Sequence, residues 1–250
     1  VISDGMAGLL RSLRLGEVSD PARACAQVLG AEGVALSLLL GAGRTTEPLW
    51  CQPGLSARFE ELQFTLGEGP GPDAVRSGSP VVEPDLDRVR PERWPVLLPA
   101  ARELGVHGVC CFPLGIGAIR VGVLTMLCDG DRRLSEQQFA DATVLTAALT
   151  GAILNGDHRD GLNVDVPGLG VLPERPSGLH RAVVHQATGM ISVQLDVSMT
   201  EALLRLRAHA YAGDRPLGEV AADVVARRLR FDNDLDDNMS GPYSPDGGKG

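Results

Sequence analysis

Residues 157–178 contain Gly161, Pro167, Gly168, Gly170, Pro173, Pro176 and Gly178 and sustain neither a helical nor a strand period. Such a stretch cannot present a continuous apolar face, because glycine loosens the backbone while proline fixes φ and removes a donor. The chain therefore reads as two separately packed segments joined by a linker. Of its 250 residues 44% are hydrophobic, enough to bury a core in each.

The segment before the linker, residues 5–156, alternates helices and short strands. Ser19-Asp20-Pro21 is a helix start, since a side-chain oxygen can accept from the free N–H groups and proline sits where no N–H partner is needed. That helix should run to about Gly30. Two apolar runs, 34–40 and 45–52, flank a glycine-bearing turn and read as a hairpin. Leu55, Phe59, Leu62 and Phe64 share one helix face, which the Leu66-Gly67-Glu68-Gly69-Pro70-Gly71-Pro72-Asp73-Ala74 stretch should terminate. A short strand follows at 80–83, then a turn at Asp85-Leu86-Asp87. Pro91 should open a helix through Trp94, Leu97 and Leu98 to Leu104. A second hairpin is expected from 106–114 and 120–128. Ser135-Glu136-Gln137-Gln138 forms a capping box before a long helix to about Asn155. This succession predicts an α+β fold, a central antiparallel sheet flanked by helices.

Residues 179–231 have a purely helical texture and should form a small all-α unit. Leu179, Ala182, Val183, Gln186, Ala187, Met190 and Leu195 fall at helical spacing, Ser198-Met199-Thr200-Glu201 is a second capping box, and Pro216 should start a third helix continuing through Leu229. Residues 232–250 are acidic and poor in apolar side chains, the composition of a disordered tail.

The net charge is −9, from 23 basic and 32 acidic residues, which argues against a uniformly basic sheath for nucleic acid. Partitioned, the balance is −7 over residues 1–178, +2 over 179–231 and −4 over the tail. The helical unit alone is positive, through Arg181, Arg205, Arg207, Arg215, Arg227, Arg228 and Arg230. These arginines either solvate helix faces or contact phosphate. Aromatic residues make up 4% of the chain, too few for an array of base-stacking platforms.

The order of residues in the helical unit carries more. Arg181-Ala182-Val183-Val184-His185-Gln186-Ala187-Thr188-Gly189-Met190-Ile191, then the Ser198 box, then Leu206-Arg207-Ala208-His209-Ala210 and Pro216-Leu217-Gly218-Glu219-Val220-Ala221, resembles the ANTAR family, a three-helix RNA-binding module of bacterial transcription antitermination regulators. The first segment resembles a GAF sensory domain, in its order of helices and strands and in Leu66-Gly67-Glu68-Gly69-Pro70 before Asp73-Ala74. Together the resemblances imply a regulator whose GAF part senses a signal, binds a small-molecule ligand or dimerises. Its ANTAR part would bind hairpins in nascent transcripts and prevent a terminator from forming. The RNA-binding residues implied are Arg181, Ala187, Thr188, Gly189, Arg205 and Arg207: small side chains for close approach and arginines for phosphates or a loop base. Gly189 has a second reading, close helix packing. Thr188 stands where that family's signature has lysine, and Leu203 where an aromatic residue often follows. These departures motivate an alternative, a ligand- or redox-sensing GAF protein whose ANTAR unit docks a protein partner.

Other constellations point to no chemistry. The prolines at 70 and 72 remove donors that a phosphate nest needs, and no Lys-Ser/Thr follows the glycines. Five cysteines show no C-x-x-C spacing, and His107 and His158 lack metal-site partners. Cys110-Cys111 should point to opposite faces of its strand, with packing favoured over redox sensing. No catalytic site, cofactor or metal is expected, and no membrane partner. The expected setting is a reducing cytoplasm. A ligand pocket is expected between the sheet and segments 64–87 and 94–104. A homodimer is expected from the apolar faces of helices at 6–13 and 135–155.

Overall fold

A computed structural model of the chain describes residues 2–40, 45–52, 54–130, 133–155 and 178–232. It divides into two compact units, Val1–Pro176 and Ser177–Gly250. The expected linker and tail lie, but for Gly178 and Asp232, outside the described residues.

In the first unit, helix α1 (Asp4–Leu15) begins where Ser3 accepts from the Met6 N–H and ends at Gly16. Helix α2 (Pro21–Leu29) starts as its sequence dictates, with the Asp20 side chain accepting from Arg23 N and Pro21 in the first turn. Strands β1 (Gly33–Leu40) and β2 (Thr45–Gln52) pair antiparallel. Helices α3 (Gly54–Leu66) and α4 (Pro70–Ser77) lead to strand β3 (Val81–Glu83), then a 3-10 turn at Leu86–Arg88 and helix α5 (Leu97–Leu104). The hairpin β4 (Gly108–Ile116) and β5 (Ile119–Cys128) precedes the long helix α6 (Glu136–Asn155). The five strands run in the order β2-β1-β5-β4-β3, each antiparallel to its neighbour.

Both faces of this sheet are covered, and strand alternation sorts the side chains between them. Val34, Leu36, Cys110, Phe112, Leu124 and Met126 pack with Met6, Leu29 and Leu145 on the side of α1, α2 and α6. Val109, Cys111, Val123 and Leu127 pack with Phe59, Trp94 and Leu97 on the side of α3, α4 and α5. The expected α+β sheet domain is thus a three-layer arrangement.

Two helices differ from the sequence expectation. The 66–74 stretch ends α3 at Leu66 as expected, yet Pro70 then opens a further helix, α4, because first-turn N–H groups have no intrahelical acceptor and proline there costs no bond. The helix expected from Pro91 begins only at Leu97. Pro95 disfavours helical φ/ψ at Trp94, so residues 91–96 form turns.

The second unit is three helices, α7 (Gly178–Leu195), α8 (Met199–Ala212) and α9 (Leu217–Val225). Ser198 caps α8 by accepting from Glu201 N at 3.2 Å. The bundle interior is formed by Val184, Ala187, Ile191 and Leu195 with Ala202, Leu206, Leu217, Val220 and Val224. Here too the third helix is shorter than expected, stopping at Val225. Arg227 turns the chain at φ 59°, and the N–H groups of Arg228 and Leu229 both donate to Asp223 O.

Candidate nucleic-acid interface

The six residues proposed for RNA contact do not share a surface. Ala187 is fully buried, and Arg181 and Thr188 are 2% and 3% exposed. The Thr188 hydroxyl donates to Val184 O at 2.7 Å, a bond to the preceding turn of its own helix. No base or phosphate reaches these three side chains in this conformation, so they serve the interior of the bundle. Arg207 is half-buried, and burial together with the neighbouring Arg181 charge pushes its guanidinium down to about 10, still a cation at neutral pH. Arg205 is committed to Glu201 at 3.0 Å, an i,i+4 pair on α8.

Gly189 lies on an open face of α7. A Cβ added there meets nothing within 4 Å, so packing does not require glycine in the middle of α7. The residue borders a groove of about 640 Å³ that also takes in Met190, Val193 and Gln194 of α7 and Arg227, Leu229 and Arg230 from the segment after α9. Positions 186, 189, 190, 193 and 194 form one stripe of α7. The opposite wall exists because the chain reverses at Arg227 and returns along α7, held where Phe231 N donates to Gln194 Oε1 at 3.0 Å.

The charge at this groove is more available than elsewhere on the unit. Arg215 and Arg228 are both spent on Asp223, at 2.7 Å each, and their hydrogen bonds, with their charges behind them, hold its carboxyl below the usual range. Arg230 makes only a 3.4 Å contact to Asp232 with its side chain 75% exposed. Among the described residues Arg227 has no ion-pair partner. Sequence reasoning missed Arg227, Arg230, Met190, Val193 and Gln194 as a surface. The available signal was Val193, an apolar residue 84% exposed at helical spacing from Gln186 and Gly189.

In the first unit the glycine-rich stretch is structural, as the sequence suggested. Gly69 adopts φ 135°, and a Cβ there would lie 2.7 Å from Gln63 Oε1, which itself accepts from Gly71 N at 2.8 Å. Glu68 Oε1 accepts from Val96 N and Leu97 N at 2.8 and 2.7 Å, capping α5. Asp73 accepts from Trp94 Nε1 at 3.1 Å. Phe59, Trp94 and Leu97 pack in the expected ligand region, beside a buried network in which Ser37 Oγ and Gln63 Nε2 donate to Glu60. Two clefts of about 710 Å³ lie at the β5–α6 connection and share Arg133 and Leu134, and one of them also takes in Val82, Glu83, Pro84 and Asp85 of the 64–87 segment. Met6, Leu9 and Leu13 of α1 and Ala142, Leu145 and Leu149 of α6 pack in the unit's own core, while Leu15, Phe139 and Leu154 on the same helices stay exposed. Among the described residues no helix is long and apolar enough to cross a membrane, and no group of three or more His, Cys, Asp or Glu is placed to hold a metal.

Residues 179–225 match the family described as ANTAR domain, so the second unit carries an ANTAR domain. No curated protein matches the chain. Solved structures similar to it include the GAF domain of a phosphoenolpyruvate-protein phosphotransferase from Coxiella burnetii, with 18% identity over 61% of this chain and 95% of that one at a TM-score of 0.44. The corresponding GAF domain from Acinetobacter gives 13% identity over 64% and 96%, TM-score 0.47. A GAF domain/HD domain protein from Geobacter sulfurreducens gives 16% over 63% and 99%, TM-score 0.42.

Proposed function

We propose that the protein is an RNA-binding antitermination regulator whose helical unit engages hairpins in nascent transcripts through the α7 groove. The observation that carries this reading is Gly189. A glycine inside a helix costs about 0.5–1 kcal/mol relative to alanine. With open space around it, that cost has no return in packing. It does admit a ligand close to the backbone of α7, on a floor formed by Met190 and Val193 with Arg227 and Arg230 at its edge. Arginine suits both parts of such a ligand, pairing with phosphate and stacking on an unpaired base. Of the residues first proposed, Gly189 is then at the contact, while Arg181, Ala187 and Thr188 support α7 from inside.

The first unit, in this reading, is cytoplasmic with the rest of the chain and senses a signal or dimerises. Two helical units held together would engage tandem hairpins with a gain in effective concentration. Binding of the purified chain to hairpin and to unstructured RNA of equal length, at moderate salt, tests the reading. A preference for the hairpin supports it, and equal or absent binding refutes it. The 84% exposure of Val193 favours a second reading, docking of a protein partner on the same groove. Under that reading, neutralising Arg227 and Arg230 leaves complex formation largely intact.

A further inference from the structure

Cys110 and Cys111 are adjacent in the chain but face opposite layers, and the sulfur that Cys110 meets belongs to Cys128. The β4–β5 register sets Cys110 opposite Met126 and Gly108 opposite Cys128, which places Cys110 and Cys128 diagonally on one face. Their Sγ atoms are 3.6 Å apart. Cys110 is fully buried, whereas Cys128, at the end of β5, is half-buried and lines a cleft of about 710 Å³ with Arg133, Ser135 and Gln138. The two thiols are thus unequal in access. They are also unequal in acidity: the hydrogen bond between them holds the Cys128 thiol below its ordinary value, while that bond and burial push Cys110 well up. The remaining described thiols with shifted acidity, Cys25 and Cys111, are both raised by burial, Cys25 to about 12.

We propose that Cys110 and Cys128 are a peroxide-oxidisable dithiol, in which Cys128 is attacked first through the cleft and Cys110 resolves it to an intramolecular disulfide. Cys128 loses its proton to solvent, and the thiolate sulfur displaces hydroxide from a hydroperoxide by breaking the O–O bond. That hydroxide, or the alkoxide displaced in its place from an organic hydroperoxide, takes a proton and leaves as water or an alcohol, with Cys128 now a sulfenic acid. The Cys110 sulfur attacks the Cys128 sulfur, the S–O bond breaks, and the departing hydroxide carries off the Cys110 proton as a second water. Two thiols are oxidised by two electrons and one peroxide is reduced. Closing from 3.6 Å to a bond of about 2.05 Å needs a movement of about 1.5 Å, within reach of side-chain rotation and a slight strand adjustment. The cross-link would tie β4 to β5 at the point where β5 leaves for α6.

The test is peptide mapping of the full chain after reduction, a few-fold excess of hydrogen peroxide and alkylation. Trypsin releases Cys110 and Cys111 in peptide 103–120 and Cys128 in peptide 121–132. The expected product is these two peptides joined and two hydrogens lighter than their sum, separating again on reduction. Cys111→Ser should retain the link. Cys110→Ser should stop at a Cys128 sulfenic acid that dimedone labels far more strongly than in the unaltered chain. All five thiols remaining alkylable, a link through Cys25, Cys51 or Cys111, or a link between two chains would each overturn the proposal. Fragmentation of the joined peptides from the unaltered chain, between positions 110 and 111, decides which cysteine is linked even if Cys110→Ser does not fold.

Discussion

Replacing Gly189 with alanine should make the helical unit more stable and its RNA binding weaker. The stability gain follows from propensity alone: alanine is favoured over glycine in a helix interior by about 0.5–1 kcal/mol. No atom within 4 Å of the new Cβ offsets that gain with a clash. Hydrogen exchange followed by mass spectrometry reads this in the intact chain. Amides of α7 that exchange through opening of the unit should slow by roughly 2- to 5-fold, the same free energy expressed as a ratio. Binding should move the other way. If RNA approaches the Gly189 backbone, a methyl group in its path costs about 1 kcal/mol or more, or roughly five-fold in affinity. Faster exchange in the variant would show that glycine is needed for packing after all. Slower exchange with unchanged hairpin affinity would remove Gly189 from the interface.

Three further substitutions probe the structural readings. Glu68→Ala leaves Val96 N and Leu97 N without their cap and should cost about 1–2 kcal/mol in urea unfolding followed by tryptophan fluorescence, since Trp50 and Trp94 both report on the first unit. Burial opposes ionisation of Asp141, but bonds from the Ser3 hydroxyl, the Ser3 amide and Gln137 outweigh it and hold the carboxyl below its ordinary value. A lowered folded-state value stabilises above the unfolded value, near pH 4, and that stability is lost as pH falls through the folded one. Asp141→Asn should therefore flatten the acid side of the urea midpoint against pH. Thr188→Lys places a charge at a position 3% exposed and should cost about 1–3 kcal/mol, seen as faster exchange in α7.

What was legible in the sequence is what local chemistry decides. Asp20-Pro21 and Gly30 bound α2 where expected. Both hairpins stand within two residues of their apolar runs, and Ser135 with Gln138 makes its reciprocal capping box. The second box is only half realised, because the Glu201 carboxylate turns to Arg205. Illegible features depend on the tertiary setting. Helix α4 hides behind prolines that act as breakers inside a helix but are tolerated in its first turn. Arginine is almost never buried on residue-type grounds, so nothing in the order of residues marks Arg181 as interior. The groove was missed for a similar reason, since its second wall requires a left-handed conformation at Arg227, for which a non-glycine residue gives no signal. Gly189 was named as a candidate from the sequence, but the facing wall of the groove beside it comes from a chain reversal beyond α9.

The most direct test of the central claim is the salt dependence of hairpin RNA affinity, measured for the full chain and for an Arg227→Gln/Arg230→Gln double variant. If both side chains contact phosphate, the unaltered chain prefers hairpin over unstructured RNA, and the double variant binds more weakly with a slope of log affinity against log salt shallower by about 1.5. An unchanged slope and affinity in the double variant, with hairpin preference retained, would move RNA away from the α7 groove. No hairpin preference in the unaltered chain would contradict the account itself.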